Sequence, residues 1–95
     1  MNADAVAKEI VGGLVIDNGV LSVPDALLLA LGKRIVETPV AGRQELAAAL
    51  IATATRLKQM PSSRRATTQV VSLAAIALGD AELNGVLKKA LGAPA

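Results

Sequence analysis

The stretch Pro61-Ser62-Ser63-Arg64-Arg65-Ala66-Thr67-Thr68-Gln69 gathers the side chains best suited to chemistry. It reads as the start of a helix, with serine as an ordinary N-cap. A helix start carries unpaired backbone N–H groups and a partial positive charge. Two arginines there have the sign the dipole disfavours, and a bound anion would reverse that. The N–H groups, the hydroxyls of Ser62 and Ser63 and the guanidinium forks of Arg64 and Arg65 suit a phosphate or a carboxylate. Arg56 and Lys58, ending the helix before, can reach the same region. The plainer reading is that these cations are solvated, or paired with acids elsewhere in the fold.

Nucleic acid is the other reading of the basic region 56–69. In a helix-turn-helix arrangement, Arg64, Arg65, Thr68 and Gln69 would lie on the reading helix and face base edges. Pro61 in the connection, and the lack of a glycine there, weigh against it. So does a net charge of only +2. The charge is nevertheless unevenly spread. Residues 46–79 contain four bases and no acid: Arg56, Lys58, Arg64 and Arg65 stand alone.

A second candidate is apolar. Leu27, Leu28, Leu29 and Leu31 make one helix greasy on nearly every side, which implies a central place in the core or cover by another chain.

Enzyme chemistry is poorly served. The chain has no His and no Cys, so Ser-His-Asp and Cys-His arrangements are impossible. Zinc, haem and iron–sulfur ligation lose their usual donors. The carboxylates do not pair: Asp80 and Glu82 are two apart on a helix start and do not face each other. The segment Gly12-Gly13-Leu14-Val15-Ile16-Asp17-Asn18-Gly19 lacks the lysine of a phosphate loop. No catalytic residue, metal or cofactor is expected.

The elements that must position these residues follow from composition and spacing. Of the 95 residues 53% are apolar and none is aromatic, so the core must be Leu, Val, Ile and Ala. Five short helices are expected in a compact all-α bundle: one domain over 1–92, with 93–95 as a frayed tail. The first runs from Ala3 to Asp17, with Val6, Ile10 and Leu14 on one stripe. The second runs from Val23 to Glu37 and stops at Pro39. Ser22 and Asp25 fit a capping box at its start. The third spans Gly42 to Met60, with Leu46, Leu50, Ala54 and Leu57 as its seam. Its opposite side carries Arg43, Gln44, Ala48, Ala52, Thr55, Arg56 and Gln59, small enough to let a neighbouring helix approach. The fourth spans Ser63 to Leu78 and ends at Gly79. The fifth spans Ala81 to Leu91. For residues 14–23 a β-hairpin around Asn18-Gly19 competes with a helical corner; pairing 16 with 21 and 14 with 23 would put four apolar residues on one face. The corner is preferred because Gly19 suits a left-handed C-cap.

The longest uncharged run has 14 residues, 66–79, too short for a membrane span. The first residues lack the basic n-region of a signal peptide, so a cytoplasmic, intracellular protein is expected. The expected function is non-enzymatic: a small helical protein–protein interaction or assembly protein, an adaptor or homo-oligomer, docking on itself or a protein partner through apolar helix faces. A small DNA-binding regulator is the alternative.

Overall fold

The computed structural model describes residues 3–79 and 82. Among these the chain is mostly helical. The order is α1 (Ala3–Gly13), β1 (Val15–Asp17), β2 (Val20–Ser22), α2 (Asp25–Glu37), α3 (Val40–Lys58) and α4 (Arg64–Ala77). The expected fifth helix over 81–91, apart from Glu82, and the tail 93–95 lie outside the described residues. Among the described residues four helices stand where the first four were expected, and a two-stranded sheet departs from the all-helical expectation.

The correction falls on residues 14–23. The first helix stops at Gly13, and the chain turns back as an antiparallel hairpin pairing Val15 with Ser22, Ile16 with Leu21 and Asp17 with Val20. Asn18 and Gly19 have φ of 52° and 77°, the double left-handed geometry of a type I′ turn. Gly19 therefore serves a hairpin and not a helix C-cap. The expected capping box also fails: Ser22 belongs to β2, α2 starts at Asp25, and Pro24 is its N-cap. The competing hairpin's 16–21 pairing is the one observed, but its apolar face is not shared. Leu21 and Val23 are buried, whereas Ile16 is exposed, because only β2 lies against the helices.

Contacts distant in sequence hold β2 in place. The Leu21 N–H donates to the Ser62 carbonyl at 2.9 Å. The Gln69 side chain closes on Val23 twice: its Oε1 accepts from the Val23 N–H at 2.7 Å, and its Nε2 donates to the Val23 carbonyl at 3.1 Å. The hairpin is thereby fastened to the α3–α4 connection and to the first turns of α4.

The helices share one core. Val6 and Ile10 of α1, Leu31 and Ile35 of α2, Leu46, Leu50 and Leu57 of α3, and Val70 and Leu73 of α4 are all buried in it. The third and fourth helices make the most extensive contact; α1 packs on α3, and α2 on α4. Gly13 lies where α1 meets α2: a Cβ there would stand 2.5 Å from Leu27 Cδ2, the far end of a side chain that can turn aside. An exposed ion pair, Arg34 Nη1 to Glu9 Oε2 at 2.8 Å, ties the same two helices. Arg43, expected on the outer side of α3, instead donates to the Thr38 and Val36 carbonyls, both at 2.9 Å. It thus satisfies the end of α2, where helix carbonyls otherwise lack partners.

Candidate functional site

Five residues, 59–63, connect α3 to α4, so the two helices run antiparallel. Between them lies an open cavity of about 550 Å³. Its α3 wall is Ile51, Ala54, Thr55 and Lys58; its α4 wall is Arg64, Thr67, Thr68 and Val71. Both sets follow the i, i+3, i+4, i+7 spacing of one helix face. Met60 closes the loop end. Ile51 and Val71 are each 50% exposed and Met60 45%, so the groove is greasy and open to solvent. None of the described residues that line it is acidic.

The cations expected to converge are divided by the fold. Lys58, Ser62, Ser63 and Arg64 border the groove. Arg65 lines a separate cavity of about 270 Å³, with Asp17, Asn18, Val20 and Ser22 of the hairpin. Arg56 is exposed and borders neither of these cavities. Adjacent side chains on a helix diverge by ~100°, so two neighbouring arginines at its start serve different surroundings. Ser63 is buried and its hydroxyl donates to the Met60 carbonyl at 2.7 Å. Ser63 is the N-cap of α4 by position, as expected, but its side chain makes no cap hydrogen bond, which corrects the reading of an ordinary serine cap. Ser62 is exposed and holds φ of 55°, a conformation non-glycine residues rarely adopt; it aims its carbonyl at β2. Thr67 Oγ1, in the groove wall, is enclosed without a hydrogen-bond partner among the described residues.

Of the residues assigned to base contacts, Arg64, Arg65 and Thr68 are exposed at the start of α4. The Gln69 amide is engaged on both sides by Val23. The leucine run turns largely inward: Leu31 is fully buried, and Leu27, Leu28 and Leu29 are half-buried against the core.

Four hydroxyls on α3 and α4 bend back onto their own helices; the buried Thr53 donates to the Ala49 carbonyl at 2.8 Å. Thr55 donates to the Ile51 carbonyl at 2.9 Å, Thr68 to Arg64 at 2.9 Å and Ser72 to Thr68 at 3.0 Å. With its hydroxyl satisfied, a threonine can offer its methyl to an apolar partner at little desolvation cost. Spacing alone predicted neither the groove nor these bonds, although the small residues on the outer side of α3 pointed toward a helix-sized approach there.

No helix among the described residues is long and apolar enough to cross a membrane. Comparisons with protein-family models, curated proteins and solved structures find no match.

Proposed function

We propose that this chain is a non-enzymatic helical interaction protein that assembles with itself or docks on a protein partner through apolar helix faces. The observation that carries the reading is the open groove between α3 and α4, flanked by half-exposed Ile51, Met60 and Val71. Grooves of this kind accept helices through anchors at i, i+3, i+4 and i+7. Neighbouring apolar side chains left in water on a small protein mark interaction sites more often than isolated ones do. Lys58 and Arg64 at its rim supply orientation by charge, which specifies encounter more than it adds affinity.

The reading is tested by molar mass across a concentration series. Light scattering after size exclusion, followed by refractive index because aromatic absorbance is absent, gives a mass above the 9.6 kDa of one chain or the co-purification of a partner. A 9.6 kDa species at every concentration, with nothing bound, removes the reading.

A second reading, DNA binding, draws support from the exposed cations Arg56, Lys58, Arg64 and Arg65 in an acid-free segment. Duplex binding that weakens steeply between two salt concentrations, and is lost on Arg64→Glu with Arg65→Glu, would favour it over assembly.

A further inference from the structure

The groove is the loop-side half of a longer surface. On α3 the exposed stripe runs Gln44, Ala48, Ile51, Thr55, Lys58; along α4 and its C-cap it runs Arg64, Thr68, Val71, Ala75, Leu78, with Ala75 half-buried and the rest exposed. Each stripe has the 4-3-4-3 spacing that keeps one face toward a neighbouring helix. Because the helices are antiparallel, Ile51 and Val71 stand at the middle level. Lys58 and Arg64 stand at the loop end, Gln44 and Leu78 at the far end. The opposite sides of α3 and α4 are covered by α1 and α2. Leu78, at the far end, is a large apolar side chain 63% exposed.

Charge is also segregated along this surface. The loop end carries Lys58 and Arg64, with Arg56 and Arg65 near by; residues 46–79 contain no acid, and Asp17 of the hairpin shares a cavity with Arg65 alone of these four. The far end carries exposed Glu45, and its neighbour Arg43 is turned to the α2 carbonyls. Two copies meeting loop end to loop end would crowd at least four cations together. Two copies meeting in opposite directions would place each cationic end over the other's Glu45 end.

We propose that a second copy of this chain occupies the outer face of α3 and α4, antiparallel about a two-fold axis beside Ile51 and Val71, with each copy's Leu78 entering the other's groove. The geometry follows from symmetry. Leu78 lies seven residues, or ~10.5 Å, beyond Val71. The two-fold carries it the same distance to the other side of the axis, at the level of Arg64 and Thr67, where the cavity is. Lys58 falls opposite Gln44 of the other copy. An isologous contact of this kind needs one self-complementary patch, and a patch with a knob at one end and a hole at the other satisfies that. Ala48 and Ala75 allow close approach, and the hydroxyls of Thr55 and Thr68 are already bonded within their own helices. The proposal rests on the reading of the chain as an interaction protein.

The experiment is sedimentation equilibrium with interference optics on the full chain and its variants, with far-UV circular dichroism to check folding. Wild type is expected as a dimer. Ile51→Arg and Val71→Arg are each expected to weaken it about a hundredfold, with helicity unchanged since both sites are half exposed. Gln44→Glu is expected to strengthen the dimer about fivefold by setting two acids opposite the two Lys58 side chains. That gain is expected to vanish in the Lys58→Gln background. A dimer indifferent to both arginine variants overturns the proposal and leaves the interaction reading standing. A dimer weakened by Gln44→Glu overturns the antiparallel arrangement, because like ends then meet. A monomeric chain that retains an acidic helical partner overturns the self-pairing but not the reading. A monomer with no partner overturns both.

Discussion

The leucine run of α2 and the outer face of α3 and α4 are opposites. By composition α2 is the greasier, yet the fold covers it: Leu31 and Ile35 are fully buried and Leu27, Leu28 and Leu29 are half-buried. The outer face is built mainly from Ala, Thr and single branched residues, yet Ile51, Val71 and Leu78 stay in water at 50%, 50% and 63% exposure. Apolar content therefore does not mark the face left in water. What marks it is apolar surface that the other described elements do not reach. Two layers of helices around one core cover only one side of each outer helix.

Substitutions can break or sharpen this contrast. Leu31→Ala on the covered side is expected to cost about 2–5 kcal/mol by urea unfolding, because it opens a cavity in a core with no aromatic to refill it. Gln69→Ala is expected to cost about 1–3 kcal/mol, since it strands the Val23 N–H and carbonyl beneath the hairpin. It should also raise amide exchange at Leu21 and Val23. Gly19→Ala is expected to cost about 1–2 kcal/mol, because its φ of 77° disfavours a Cβ. Arg34→Gln, which breaks an exposed ion pair with Glu9, is expected to cost less than about 1 kcal/mol, shrinking further in high salt. On the outer face, Val71→Ala is expected to change the stability of the monomer by no more than about 0.5 kcal/mol, measured at concentrations below association. An equal cost for Leu31→Ala and Val71→Ala would erase the contrast between the two surfaces.

The helices were readable in the sequence where periodicity and punctuation agree. Pro39 and Pro61 mark the α2–α3 and α3–α4 breaks, Gly79 takes the positive φ that follows α4, and the seam Leu46, Leu50, Ala54 and Leu57 is buried as its spacing requires. In residues 14–23 the local signals conflict. Ser22 and Asp25 match a helix cap, while Val15, Ile16 and the Asn18-Gly19 pair match a hairpin. The anchors that secure the hairpin, Ser62 and Gln69, lie more than 40 residues away. Charge clustering pointed to the loop between α3 and α4, and Lys58, Ser62, Ser63 and Arg64 do border one groove. It could not separate Arg64 from Arg65, because that depends on how the hairpin is seated against α4. The α3 half of the outer face is legible as small residues such as Ala48 and Ala52, but only the antiparallel pairing with the α4 stripe makes them one surface.

The most direct test uses the absence of native cysteine. Single Val71→Cys and Leu78→Cys chains are oxidised gently and run on a non-reducing gel. A disulfide needs Cα atoms within ~7 Å, and the antiparallel two-fold places the two Val71 positions together while holding the two Leu78 positions ~21 Å apart along the axis. The account predicts a covalent dimer from Val71→Cys and none from Leu78→Cys; equal cross-linking of both, or of neither, contradicts it.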